Sequence, residues 1–208
     1  MAAANENQWR EFWQRLGAID DPLQPWQRIH AAYAEVWRAY HNLEHIGHCL
    51  AEFAVVRQPA NDSLAVEAAI WFHDVIYDTR KNDNEERSAD FAVDTLRAAA
   101  RTAEFCETVR ALILATRHHA QPESNDARLL TDIDLSILGQ GPDRYAEFEQ
   151  QIRREYAWVT DKDFAAGRLT ILNSFFQRKR IFNLPTFVQR YEEQARVNLS
   201  WAIKQLAA

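Results

Sequence analysis

The stretch Ala68-Ala69-Ile70-Trp71-Phe72-His73-Asp74-Val75-Ile76-Tyr77-Asp78 constrains the chain most, because it sets an imidazole and a carboxylate inside an otherwise almost wholly apolar run. Burying either group unpaired costs several kcal/mol, roughly. A hydrogen-bonded network or a bound cation removes that penalty, and the cation is the sharper reading. Adjacent residues on a helix point about 100° apart. His73 and Asp74 therefore converge on one ion only if it lies beside the helix and further ligands arrive from other segments.

With 208 residues, 47% of them hydrophobic and 12% aromatic, the chain has material for one sizeable core. A single domain spanning 1–208 is expected, with a metal-binding core at about 40–139 and C-terminal helices at 143–206 completing the bundle. Only 5 glycines and 6 prolines occur, and Ala, Glu, Gln, Arg and Leu are frequent, which points to an all-α fold rather than a sheet with tight turns. The formal charge of −6 argues against a nucleic-acid surface, although a small basic pocket for one phosphate fits within an acidic total. Cys49 and Cys106 lie in apolar helical stretches without CxxC spacing, so buried reduced thiols and a cytoplasmic location are expected. No apolar run resembles a signal peptide or approaches the ~20 residues of a membrane span.

Helices are expected at Asn5 to Leu16, Pro22 to Tyr40 and Asn42 to Val56, the second with Trp26, Ile29, Tyr33, Val36 and Trp37 in the core. The Trp-rich first helices either cover a site or form a homodimer contact. Gln58-Pro59 breaks the chain before Asp62 or Ser63 caps the central helix. A polar loop follows Asp78, and Asn84 is placed to cap a helix from Glu85 to about Ala100. Further helices are expected at Thr102 to His118, Arg128 to Leu138, Asp143 to Val159, Asp163 to Phe182 and Thr186 to Leu206. Arg153, Arg168, Lys179, Glu192, Arg196 and Asn198 on the last three form either solvated faces or a phosphate-facing wall, solvated faces being the commoner outcome.

Upstream, Tyr40-His41-Asn42-Leu43-Glu44-His45 spaces His41 and His45 by four residues, which on a helix stacks them on one face. Such a pair shares a site or is simply hydrogen-bonded or exposed. Downstream, Asp132 and Asp134 point roughly 200° apart on a helix, so at most one of them enters a common site.

His45, the His73-Asp74 doublet and Asp134 in Asp-Leu-Ser follow the order H…HD…D, and in this the chain resembles the HD superfamily of metal-dependent phosphohydrolases. The segment Tyr40-His41-Asn42-x-x-His45 also resembles the Y-H-N-x-x-H segment of cyclic-nucleotide phosphodiesterases, in which the first histidine is the general acid and the second a ligand. Over its whole length the chain is similar to a group of bacterial HD-superfamily hydrolases. This similarity runs through Phe72-His73-Asp74-Val75-x-Tyr77-Asp78, Asp83-Asn84-Glu85-x-x-Ser88-Ala89, Ala115-Thr116-x-x-His119, Asp132-x-Asp134-Leu135-x-Ile137-Leu138-Gly139 and Ala195-Arg196-x-Asn198-Leu199.

The resemblance implies a helical HD fold with one divalent metal held by His45, His73, Asp74 and Asp134. Binuclear members carry a longer HDxxxxH pattern; here position 78 is aspartate and position 79 threonine, which argues against a second metal. Two imidazoles and two carboxylates suit Mn²⁺, Fe²⁺, Co²⁺, Ni²⁺, Zn²⁺ or Mg²⁺ and leave positions open for water and a phosphate oxygen. His41 then serves as general acid, and Asp78, one helical turn beyond Asp74, either orients the attacking water or ends the helix. Glu85, His119 and Arg153 are candidates to support the ligands or touch substrate, with a capping-turn glutamate and an exposed histidine as the plainer alternatives. The expected activity is hydrolysis of a small phosphoester, nucleotide-like if Trp71, Phe72 and Tyr77 stack on a base rather than fill the core. The competing readings are a regulatory module that binds metal and nucleotide without turnover, and an HD-type di-iron oxygenase with additional histidine ligands such as His118 and His119.

Overall fold

The computed structural model describes residues 2–56, 60–117 and 121–207, and these are helical, with no strand among them. They group into two compact units, Met1–Ile133 and Asp134–Ala208. The first contains α1 (Glu6–Leu16), α2 (Leu23–Tyr33), α3 (Leu43–Val56), α4 (Ser63–Phe72), α5 (Asn84–Ala98), α6 (Ala103–Ala115) and most of α7 (Asn125–Leu135). The proline break at Gln58-Pro59 and the pair His118-His119 lie outside the described residues.

Helix α4 is the centre of the first unit. Every residue from Ala65 to Phe72 is buried, and the helix touches α1, α3, α5 and α6. Apart from Glu67, which pairs with Arg15, the buried stretch is apolar all round and has no solvent face to keep, which favours this central position. Asp62 caps it through the Ala65 amide, and the Asp126 carboxylate in turn accepts from the Asn61 and Asp62 amides at 2.7 and 2.9 Å, fixing the start of α7 to the start of α4.

The Trp-rich N-terminus packs on α4. Asn5 and Gln8 form a reciprocal capping box at the start of α1, and Gly17 ends it at φ 70°, a left-handed conformation that glycine adopts without penalty. Trp9, Phe12, Trp13 and Leu16 are buried. Trp9 meets Trp71 edge-on at 5.4 Å and Phe72 at 5.9 Å, and its indole N–H reaches the Pro22 carbonyl at 2.9 Å. Trp71 and Phe72 are thus core residues that cannot stack on a ligand.

The α2 helix ends seven residues earlier than its periodicity suggested. Val36 is 96% exposed and Trp37 53% exposed rather than core. The chain leaves the helix at Ala34, and the departure carries Arg38 inward, where the guanidinium meets the Glu35 carboxylate and three backbone carbonyls that a continuing helix would not have offered it.

The second unit holds a 3-10 turn (Ser136–Gly139), α8 (Pro142–Glu155), α9 (Asp161–Phe176), and α10 (Pro185–Phe187), which runs through a π turn (Val188–Glu192) into α11 (Glu193–Ala207). Of the polar residues singled out there, Lys179 is exposed, while Arg153, Arg168, Glu192, Arg196 and Asn198 bond within the unit. Asn198 is buried and donates to the Leu138 and Gln140 carbonyls, both at 2.8 Å. Arg196 bonds Glu192 and the carbonyls of Phe176, Arg178 and Lys179, while Glu192 accepts from the Ile181 and Phe182 amides. Arg168 and Glu149 form a forked pair at 2.7 and 3.0 Å. No described helix is long and apolar enough to cross a membrane.

Candidate metal centre

His45 stands one turn inside α3, and Cys49 follows it by one further turn on the same face. The helix is held close to the N-terminal segment: Ala4 donates to the Leu43 carbonyl at 2.8 Å, and a Cβ at Gly47 would run into the Ala2 carbonyl and the Ala4 amide. His41 precedes α3 rather than sharing its face, because Asn42 turns the chain there and accepts from the Glu44 amide. Its ring stacks on Tyr77 at 4.1 Å and lies 6.0 Å from the His45 ring.

The His73-Asp74 doublet is not on a helix. Helix α4 ends at Phe72, His73 is its C-cap, and Asp74 to Asp78 form an irregular turn. Three side chains from other segments hold that turn. Arg38 donates to the Asp74 and Val75 carbonyls at 2.6 and 3.0 Å. The Ser88 hydroxyl accepts from the Ile76 amide and donates to the Ile76 carbonyl. Asn84 does not cap α5; its amide side chain brackets Asp78, accepting from the backbone N–H and donating to the carbonyl, both at 3.0 Å. With the helix ended early, Asp78 is not one turn beyond Asp74. Its carboxylate accepts from the Arg80 amide at 2.9 Å and closes the following loop.

The turn delivers the doublet to His45. The Nε2 atoms of His45 and His73 are 3.1 Å apart, and Asp74 Oδ2 lies 3.4 Å from the first and 3.1 Å from the second. His73 Nδ1 is 2.9 Å from the Ile70 carbonyl. A carbonyl only accepts, so Nδ1 carries a proton and Nε2 is the ring nitrogen turned to the cluster. Burial alone pushes the Asp74 carboxyl up, but the imidazoles of His73, His45 and His41 outweigh it and hold the group well below the usual carboxylate range.

One ligand atom each from His45, Cys49, His73 and Asp134 also lie within 4.8 Å of one another. Asp134 is the penultimate residue of α7. Two donor sets, one with Asp74 and one with Cys49 and Asp134, therefore share the same two imidazoles. Donors of one ion stand roughly 3–4.5 Å apart when each bond is about 2.0–2.3 Å long; the spacings among His45, His73 and Asp74, 3.1–3.4 Å, fall in that range. The group can hold a metal ion.

The remaining residues singled out in the sequence lie elsewhere. Glu85, in the first turn of α5, faces Arg117 at 3.9 Å. Arg153 donates to Asp161 and to the Tyr156 and Val159 carbonyls, closing the connection from α8 to α9. His119 is outside the described residues. Sequence reasoning missed Cys49, although its spacing of four from His45 carried the signal, and Arg38, for which an isolated arginine in a helix-like pattern gave none. Comparison with protein-family models, with characterised proteins and with solved structures returned no match.

Proposed function

We propose that this chain is a metal-dependent phosphohydrolase acting on a small phosphoester. The observation that carries the reading is the convergence of His45 Nε2, His73 Nε2 and Asp74 Oδ2 within 3.1–3.4 Å in a place where two of the three side chains are fully buried. The donor set fits a divalent cation: His73, anchored through Nδ1 to the Ile70 carbonyl, turns Nε2 toward His45 Nε2 and the Asp74 carboxylate, the atoms that a metal ion would take in place of the protons between them. A metal held there supplies Lewis acidity toward a phosphoryl oxygen and acidifies a coordinated water.

The protein's own groups supply the rest. Asp74, 18% exposed at its side chain, is the ligand that reaches toward solvent, so substrate approaches from its side. His41, stacked against Tyr77 with its own carbonyl held by Arg38 at 3.2 Å, is oriented to deliver a proton to the leaving oxygen. Because Trp71 and Phe72 are core, stacking on a nucleobase would fall to Tyr77, and the substrate class is a phosphoester with or without a base.

Metal analysis of protein purified without chelator, with hydrolysis of a panel of nucleotides and generic phosphoesters under each added divalent metal, tests the reading. The expected result is turnover abolished by chelator and by His73→Ala. Unchanged metal content and turnover in a folded His73→Ala variant would sink it; stoichiometric metal and tight nucleotide binding without turnover would replace it with the regulatory module.

A further inference from the structure

Cys49 is 1% exposed, and a buried thiol ordinarily packs as a small hydrophobe. This one has polar neighbours. Its sulfur is 3.8 Å from both ring nitrogens of His45, and it belongs to the set of donors mutually within 4.8 Å that includes His73. Independently, the Ile70 carbonyl takes the Nδ1 side of the His73 ring and so turns Nε2, a second imidazole nitrogen, to within 3.1 Å of His45 Nε2. Two imidazole nitrogens and a sulfur brought together in a buried place form a borderline-to-soft donor set. The other cysteine, Cys106, lies on α6 outside this set, where burial pushes its thiol up.

We propose that Cys49 is a ligand of the centre, bound as the thiolate, and that the centre therefore takes zinc, cobalt(II) or ferrous iron in preference to magnesium. The proposal rests on the metal-centre reading above and adds a donor that the H…HD…D order does not contain. Binding exchanges the S–H bond for a sulfur–metal bond and releases one proton to solvent. Magnesium prefers oxygen ligands and retains its waters, whereas thiolate favours the later transition metals. Position 49 thus decides the metal, while Asp74 and Asp134 keep the oxygen donors that a phosphoester reaction uses.

Cobalt(II) titration of the metal-free full chain, followed by near-ultraviolet absorption, tests this without reference to activity. A thiolate–cobalt charge-transfer band is expected in the wild type and in Cys106→Ser, whose only remaining thiol is Cys49. Cys49→Ser is expected to keep the fold, lose the band and bind zinc weaker by about a hundredfold or more. Magnesium in large excess is expected not to displace zinc from the wild type. Cobalt uptake without the band, or a band lost in Cys106→Ser, overturns the thiolate ligand and leaves the metal centre standing. No cobalt uptake by the wild type overturns both.

Discussion

Arg38 and Asp74 are joined through the backbone: the guanidinium of the first donates to the carbonyl of the second at 2.6 Å while also holding the carbonyls of His41 and Val75. One buried side chain thereby fixes both the segment that carries His41 and the turn that carries His73 and Asp74.

Removing that guanidinium leaves three carbonyls without their donor. Arg38→Met is expected to lower stability by about 3 kcal/mol or more and to weaken metal binding, and Arg38→Lys to rescue little, since an ammonium cannot reproduce the planar fork. Denaturant unfolding and zinc titration of both variants check this. Full rescue by lysine would reduce the role to charge alone.

The aromatic packing on α4 separates two tryptophans that look alike in the sequence. Trp9→Ala is expected to cost about 3–5 kcal/mol, because a buried ring and its bond to Pro22 are lost. Trp37→Ala, at an exposed position, is expected within about 0.5 kcal/mol of wild type. Comparing the two melting curves is sufficient.

The His41 ring stacks on Tyr77 and its centre stands 6.0 Å from that of His45, so its loss should separate chemistry from metal binding. In His41→Asn, turnover of a phosphoester with a poor leaving group is expected to fall by about 10²–10⁴-fold at unchanged metal stoichiometry. Substrates with good leaving groups should be affected far less. A uniform loss across leaving groups would assign His41 to substrate binding instead.

In the second unit, burial works against the Arg168 charge, but Glu149 more than offsets it. Arg168→Met alone is expected to destabilise by about 3–5 kcal/mol by stranding a largely buried carboxylate. Pairing it with Glu149→Leu should return most of that loss, which urea unfolding of the single and double variants measures.

The helical class was legible in the composition and the His73-Asp74 doublet in its apolar context, whereas His45 and Asp134 were singled out only by the resemblance to the H…HD…D order. The path of the chain around the doublet was not legible. Periodicity carried the central helix through Asp78 and the second helix through Tyr40, and both end early for tertiary reasons: Arg38, Ser88 and Asn84 offer the backbone better partners than another helical turn would. Those three residues come from α5 and the α2–α3 connection, and no local pattern announces a side chain that bonds to a distant main chain. The motif residues Asn84, Ser88, Arg196 and Asn198 accordingly act on backbone geometry rather than on a ligand. In the sequence Cys49 reads as core, because a buried thiol and a donor thiol share the same apolar neighbourhood.

The turn that carries His73 and Asp74 has a kinetic consequence. Its anchors lie up to 37 residues away along the chain, and the two imidazoles are separated by 28. None of α3, α4 or α5 can therefore position the donors by folding alone, and contacts of such separation form only after their loops have closed. High-affinity metal binding would then arise at the last step of folding of this unit, so during refolding the rate of tight metal capture would report the arrival of the native state, later than the rise of helical signal.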